Sequence, residues 1–167
     1  MGMTVCYTQV NPSLLNTLRE IKEPEEMLEA LESLEEEVEC CYLDKMWDGL
    51  HCFLTGTSAS TPKENDPLSE AVLGKEIFFE DEEADYMAYM MPEDVKKAAK
   101  ALDAVDLEQR KATFSPKEYH EKEIYPDIWL KEDHDSLLEE LVENFKGLTE
   151  FYRATAKNGK GIIVSIY

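Results

Sequence analysis

A chain of 167 residues matches one domain of ordinary size, and at that length folding buries about 70 % of the extended surface, so neither a disulfide net nor a metal staple is needed. Hydrophobic residues make up 43 %, enough for a core and too many for a disordered chain. Seventeen lysines and arginines against 37 aspartates and glutamates give a formal charge of −20, which argues against a nucleic-acid partner and against an anionic membrane surface.

Residues 3–10 (MTVCYTQV) are rich in β-branched and aromatic types and predict a strand. Asn11-Pro12 places a cap and a proline at the start of a short helix reaching about Ile21. A second helix opens at Pro24. Its apolar residues Met27, Leu28, Leu31, Leu34, Val38 and Cys41 fall at three- and four-residue steps, which predicts one buried face running as far as Cys41. Nine of the seventeen residues from Glu23 to Glu39 are glutamate, so the other face repels itself and packing must hold the helix.

A third helix is expected from about Asp44 to Leu54, stopping at Thr55-Gly56. Residues 56–66 are small, polar and proline-containing, and predict a loop. Asp66-Pro67 caps a short helix through Leu73 that Gly74 ends. A brief strand is expected at 75–79. The run Glu80-Asp81-Glu82-Glu83-Ala84-Asp85 holds five carboxylates in six positions; it lacks the alternating oxygens and glycine of a calcium loop and is expected to be solvated. Residues 86–91 (YMAYMM) bear no charge on either face and predict a strand inside the sheet.

Met91-Pro92 starts a helix with Glu93 and Asp94 in its first turn, where the macrodipole favours them, and Val95, Ala98, Ala99 and Leu102 as its buried stripe. Asp106 and Ser115-Pro116 cap two short helices. Tyr125 precedes a proline and must be extended. The longest helix is expected over about Asp133–Asn158, and an uncharged strand at 162–167 closes the chain, covered on both faces. The expected class is α/β, a small central mixed sheet of about four strands layered by seven or eight helices, in a single domain spanning 1–167.

The four cysteines, Cys6, Cys40, Cys41 and Cys52, form no C-x-x-C pair, and the histidines are not spaced around them as zinc ligands. Neither metal nor cofactor is expected. The opening residues have no basic region or long apolar run, and no apolar stretch approaches the roughly 20 residues that span a bilayer. Reduced thiols in the cytoplasm are the expectation.

On a helix that advances about 100° per residue, Asp44, Asp48, His51 and Thr55 share one narrow stripe beside the apolar face of Met46, Trp47, Leu50, Phe53 and Leu54. That arrangement predicts a pocket rim at the border of core and solvent. Two readings follow. In one, His51 is a proton acceptor or ligand anchor oriented by Asp48 or Asp44, with Trp47 as an apolar wall and Asp44, Thr55, Asp66, Ser69 and Tyr125 around a small-molecule pocket. In the other, His51 donates to Asp48 in an ordinary local pair and Thr55 bonds back to a carbonyl. Gly49 lies off the stripe and suggests a close approach by another backbone. No G-x-S-x-G motif supplies a nucleophile; Ser69 is the nearest candidate.

The chain resembles the YfbM-like family of bacterial proteins, a family without an established activity, along essentially its whole length. The resemblance rests on Asp44-Lys45-x-Trp47-Asp48-x-Leu50-His51-x-x-Leu54-Thr55-Gly56, on Asn65-Asp66-Pro67-Leu68-Ser69-x-Ala71-Val72-Leu73-Gly74, and on Tyr125-Pro126 with the long helix and last strand. It implies an α/β domain with helices layered on a central sheet, and it places the polar stripe and the Asp66 cap in the two most distinctive blocks. The glutamate-rich second helix departs from the family pattern. The functional expectation is a binding module whose acidic surface faces a basic protein partner, such as a toxin that it neutralises; the alternative is a hydrolase or transferase using His51 with Asp48.

Overall fold

A computed structural model describes residues 3–35, 39–80 and 85–167. In chain order the elements are β1 (Val5–Val10), α1 (Pro12–Leu18), α2 (Pro24–Glu35), β2 (Cys40–Leu43), α3 (Trp47–Thr55), α4 (Pro67–Leu73), β3 (Glu76–Ile77), β4 (Tyr86–Met90), α5 (Pro92–Asp103), α6 (Leu107–Thr113), α7 (Pro116–Glu121), α8 (His134–Lys157) and β5 (Gly161–Ile166). The five strands form one sheet in the order β2-β1-β5-β4-β3. Every neighbouring pair is antiparallel, with Tyr7 opposite Val164 and Ala88 opposite Val164 on its other side.

The α/β class is as expected, with helices on both faces of a central sheet. Strand alternation sorts the core into two layers. Val5, Tyr7, Ala88, Met90, Ile162, Val164 and Ile166 point toward α3, α4, α5 and α8. Val10, Met87 and Ile163 point the other way, against Leu15, Leu18, Met27 and Leu31 of α1 and α2. β5 lies between β1 and β4, and both its faces are covered, as an uncharged strand requires. The local signals set the helix ends: Asp66, Asp106, Ser115 and Asp133 each accept a backbone N–H in the first turn of α4, α6, α7 and α8.

Three expectations are corrected. The sheet is antiparallel throughout and not mixed, since β5 runs opposite to both β1 and β4, and β2 and β3 run opposite to the strands they pair with. The sheet has five strands rather than four, because α2 ends at Glu35 and Cys40-Cys41 belong to β2 instead of the helix. A run of glutamates at a helix C-terminus opposes the macrodipole, while Cys40–Leu43 gains a cross-strand ladder with Thr8–Val5. Val38 of the expected apolar stripe, and Asp81–Ala84 of the acidic run, lie outside the described residues. The third helix starts at Trp47, not Asp44, so Asp44 sits exposed in the connection that follows β2. No helix among the described residues is long and apolar enough to cross a membrane.

Candidate functional site

Helix α3 is buried along its whole length, which overturns the expectation that its polar stripe forms an exposed rim. His51 is 0 % exposed and Asp48 4 %. The helix runs under α4 and α8, and the side chain of Trp129 covers it at Gly49: a β-carbon added there would lie 2.6 Å from Trp129 Cη2. The close approach at Gly49 is thus made by an indole ring and not by another backbone. Gly56 ends α3 in the left-handed conformation at φ 83°, a backbone geometry that glycine adopts without strain.

Asp48 and His51 have their partners away from the helix, whereas Thr55 bonds back to the His51 carbonyl as expected. Asp48 accepts from the backbone N–H of Ala59 at 2.7 Å, from Ser58 Oγ at 3.2 Å and from the backbone N–H of Tyr125 at 2.9 Å. This carboxylate ties the 57–62 loop and the Tyr125-Pro126 segment to α3. His51 therefore forms no hydrogen bond with Asp48, and both sequence-based pairings of the two residues are corrected. The reason is geometric: one turn apart on a helix, each side chain faces a different segment arriving from elsewhere in the chain.

His51 Nδ1 lies 2.7 Å from the carbonyl oxygen of Thr57, and its Nε2 lies 2.7 Å from Ser69 Oγ. A carbonyl only accepts, so Nδ1 carries the proton and Nε2 is the acceptor for the Ser69 hydroxyl. Burial lowers the imidazole pKa, against the opposing influence of the Thr57 carbonyl, Asp48 and Asp66; the ring is neutral near pH 7. Thr55 Oγ1 donates to the His51 carbonyl at 2.8 Å and stands 3.2 Å from Nδ1. Ser69 sits on the third residue of α4, whose first turn is fixed by Asp66 accepting from Leu68 N at 2.9 Å.

The far end of α4 is held in an unusual way. Three tyrosine hydroxyls donate to its last three carbonyls: Tyr152 to Ala71, Tyr7 to Val72 and Tyr86 to Leu73, each at 2.7 Å. A helix leaves its last carbonyls without intrahelical partners, and here the sheet and α8 supply them. Burial raises the pKa of all three phenols, that of Tyr86 to about 12, so they remain donors.

Clefts open on several sides of the molecule, two of them at Ser69 and at Tyr125. One, of about 360 Å³, is lined by Ser69 and Glu70 together with Lys63, Asn65, Lys75 and Tyr86. Glu70 Oε2 is buried there without a hydrogen-bond partner, and burial raises the Glu70 pKa. The other cleft, of about 500 Å³, lies between the connection after β2 and the start of α8; Met46, Tyr125, Pro126 and Ile128 form its apolar part, and Asp44, Glu132 and Glu140 its acidic part. Trp47 lies near its edge, donating Nε1–H to the Met3 carbonyl at 2.9 Å and packing on the Tyr125 ring at 5.8 Å between centroids.

The structure thus joins His51, Ser69, Thr55 and Asp66 in one group, and Asp48 with Trp47 and Tyr125 in another, while Asp44 belongs to the acidic cleft. Sequence reasoning missed Thr57, Ser58, Ala59 and Glu70. The serine- and threonine-rich loop at 57–61 was the signal for the first three, since such residues bond readily to nearby backbone. Among the described residues no group of three or more histidine, cysteine, aspartate or glutamate side chains is arranged to hold a metal ion.

A family model described as a domain of unknown function (DUF1877) matches residues 1–165. The chain belongs to that family. It is 29 % identical over 167 residues to Protein YfbM of Escherichia coli strain K12, covering 99 % of each chain. It is also similar to the crystal structure of a protein of unknown function, YfbM from Escherichia coli, with a TM-score of 0.78 and 26 % identity over 98 % of this chain and 99 % of that one. These similarities support the α/β fold described above, and the family brings no activity with it.

Proposed function

We propose that this protein is a binding module that engages a basic protein partner through the acidic cleft at Asp44, Glu132 and Glu140. The observation that carries the reading is the state of those carboxylates. None of the three enters an ion pair among the described residues, and Lys45 is the one cation of the lining. Glu140 is an exposed residue, and its pKa is raised by partial burial first, then by Glu132, Asp44 and Glu143. The folded protein thus holds like charges together around Tyr125 and Ile128 without neutralising them, and a partner's lysine or arginine relieves that repulsion while its alkyl stem covers the apolar part. The net charge of −20 speeds the encounter with such a partner.

The alternative expectation, catalysis by His51 with Asp48, loses its geometric basis because the two side chains do not meet. The test is affinity capture with the tagged protein, comparing the parent with a D44N/E132Q/E140Q variant at low and high salt. A basic protein held by the parent at low salt, and lost both in the variant and at high salt, is the expected result. Equal capture by the variant, or no basic protein at either salt, overturns the reading.

A further inference from the structure

The pairing of Ser69 with His51 has a chemical consequence outside the binding role. We propose that Ser69 is a nucleophile activated by His51, and that the cleft beside it takes a small ester whose acyl part carries a hydrogen-bond donor. The Oγ–Nε2 distance of 2.7 Å is within the range in which a histidine removes a serine proton as the hydroxyl attacks. The Nδ1–H bond to the Thr57 carbonyl, also 2.7 Å, fixes the tautomer and holds the ring, the part that a carboxylate plays in a serine–histidine–aspartate triad. Burial disfavours the protonated ring overall and keeps it a neutral acceptor, while the Thr57 carbonyl, Asp48 and Asp66 offset part of that penalty when the proton arrives.

Ser69 is 2 % exposed and contributes to the lining of the 360 Å³ cleft, so the residue borders a space that accommodates a short acyl chain. The second, independent observation is Glu70 Oε2, buried in the same lining and without a partner. A buried polar oxygen left unpaired is unfavourable, and a ligand donor in the cleft that draws the Glu70 carboxyl toward it removes that penalty. This selects an acyl group bearing an amine or hydroxyl over a plain alkyl chain.

The reaction balances without any further reagent. Ser69 Oγ bonds to the carbonyl carbon and its proton passes to His51 Nε2. The ester C–O bond breaks and the leaving oxygen takes that proton. Water then adds to the acyl carbon, losing a proton to Nε2, and the acid departs as Ser69 Oγ is reprotonated.

An alkyl fluorophosphonate tests the nucleophile directly, with the adduct located by peptide mass spectrometry. Folded parent protein is expected to form a single adduct on Ser69, none to form there in Ser69→Ala, and labelling to slow by roughly 100-fold or more in His51→Gln. Because His51→Gln perturbs a buried site, the parent's own pH profile provides a second measurement. Activation by a neutral imidazole gives a labelling rate that levels off by neutral pH, whereas an unassisted hydroxyl keeps accelerating into strong alkali. Absence of an adduct on Ser69 in the folded parent, a rate still climbing above pH 9, or unchanged labelling in a folded His51→Gln overturns the proposal. For the substrate class, hydrolysis of the 4-nitrophenyl esters of glycine and of acetate is compared: a preference for the glycine ester that Glu70→Gln abolishes supports the assignment, and equal hydrolysis of the two esters by the parent overturns it. Retention of Ser69 labelling in D44N/E132Q/E140Q separates this activity from the binding role.

Discussion

The indole ring of Trp129 fills the space that a side chain on Gly49 would need, with Cη2 and Cζ2 at 2.6 and 2.9 Å from the position of an added β-carbon. Trp129 is itself locked, 1 % exposed and donating Nε1–H to the Ile124 carbonyl at 2.8 Å. It cannot move aside without breaking that bond or its edge contacts with Phe114 and Tyr119. Gly49→Ala removes an unfavourable glycine from a helix interior, a gain of about 1 kcal/mol, but the overpacking costs typically 1–3 kcal/mol. The strain wins at a contact this short. Urea unfolding is expected to show a net loss of stability of roughly 1–2 kcal/mol, and a variant as stable as the parent contradicts the packing described.

Asp48 holds two distant segments at once. Removing its carboxylate leaves the backbone N–H groups of Ala59 and Tyr125 without their acceptor, and hydrogen bonds to charged groups contribute about 1.5–3 kcal/mol each. Asp48→Ala is expected to lower stability by roughly 3 kcal/mol and to make the 57–62 loop the first point of proteolytic cleavage. Limited proteolysis with mass mapping reads the second effect, and a cleavage pattern like that of the parent argues against the tie.

How far the sequence discloses this arrangement depends on range. Caps at Asp66, Asp106, Ser115 and Asp133 act within three residues of themselves, so residue type and spacing reveal them. The strand at Cys40–Leu43 was hidden because Val38 and Cys41 continue the helical spacing of α2, while what decides the matter is pairing with a strand more than thirty residues earlier. Of the expected stripe, Asp48, His51 and Thr55 do share one helix, and Asp44 lies before its start. The partners of Asp48 and His51 are not local: Asp48 reaches a backbone group 77 residues away and His51 a hydroxyl 18 residues away. Helical periodicity states which side chains share a face, and the segments that pack on that face determine whether they meet solvent or each other.

The buried imidazole makes stability depend on pH. Its pKa in the folded protein lies below the ordinary histidine value, so as pH falls through about 6.5 the unfolded chain takes up a proton before the folded one does. The unfolded state then binds more protons, and stability rises with pH across that window: the His51 contribution is complete above the unfolded value and is lost as pH falls toward the folded one. Glu70 and Glu140, whose folded pKa values are raised, act in the opposite direction at lower pH. The informative quantity is therefore the difference between the parent and His51→Gln. Between pH 7.5 and pH 5.5 the parent is expected to lose more stability than the variant in parallel urea titrations; an equal or smaller loss removes the linkage.

Relief of repulsion in the acidic cleft is expected to stabilise the free protein. Glu140→Gln deletes one of the clustered charges while keeping side-chain shape, and like-charge pairs on a helix surface cost a few tenths of a kcal/mol. The melting temperature is expected to rise slightly at low salt, with the gain shrinking as added salt screens the cluster and vanishing in acid, where the parent carboxyl is protonated. A melting temperature unchanged at low salt shows that the cluster carries no strain for a partner to relieve.

The three tyrosines at the end of α4 make the position of Ser69 depend on groups far from it in sequence. Tyr152→Phe and Tyr7→Phe each remove a hydroxyl that serves a buried carbonyl, Ala71 or Val72, while keeping the ring and its packing. A buried acceptor left unsatisfied costs about 1–3 kcal/mol. Tyr86→Phe is expected to cost less, because Tyr86 is only half-buried and water can reach its side of the helix end. The rings of Tyr7 and Tyr152 touch edge to face, with centroids 6.5 Å apart, so the double variant is expected to depart from the sum of the single losses. If α4 is pinned from this end, losing both hydroxyls also loosens its first turn, and backbone amide exchange over residues 68–74 speeds up more than that of α5. Exchange that accelerates uniformly across both helices shows instead that the hydroxyls contribute to global stability without positioning Ser69.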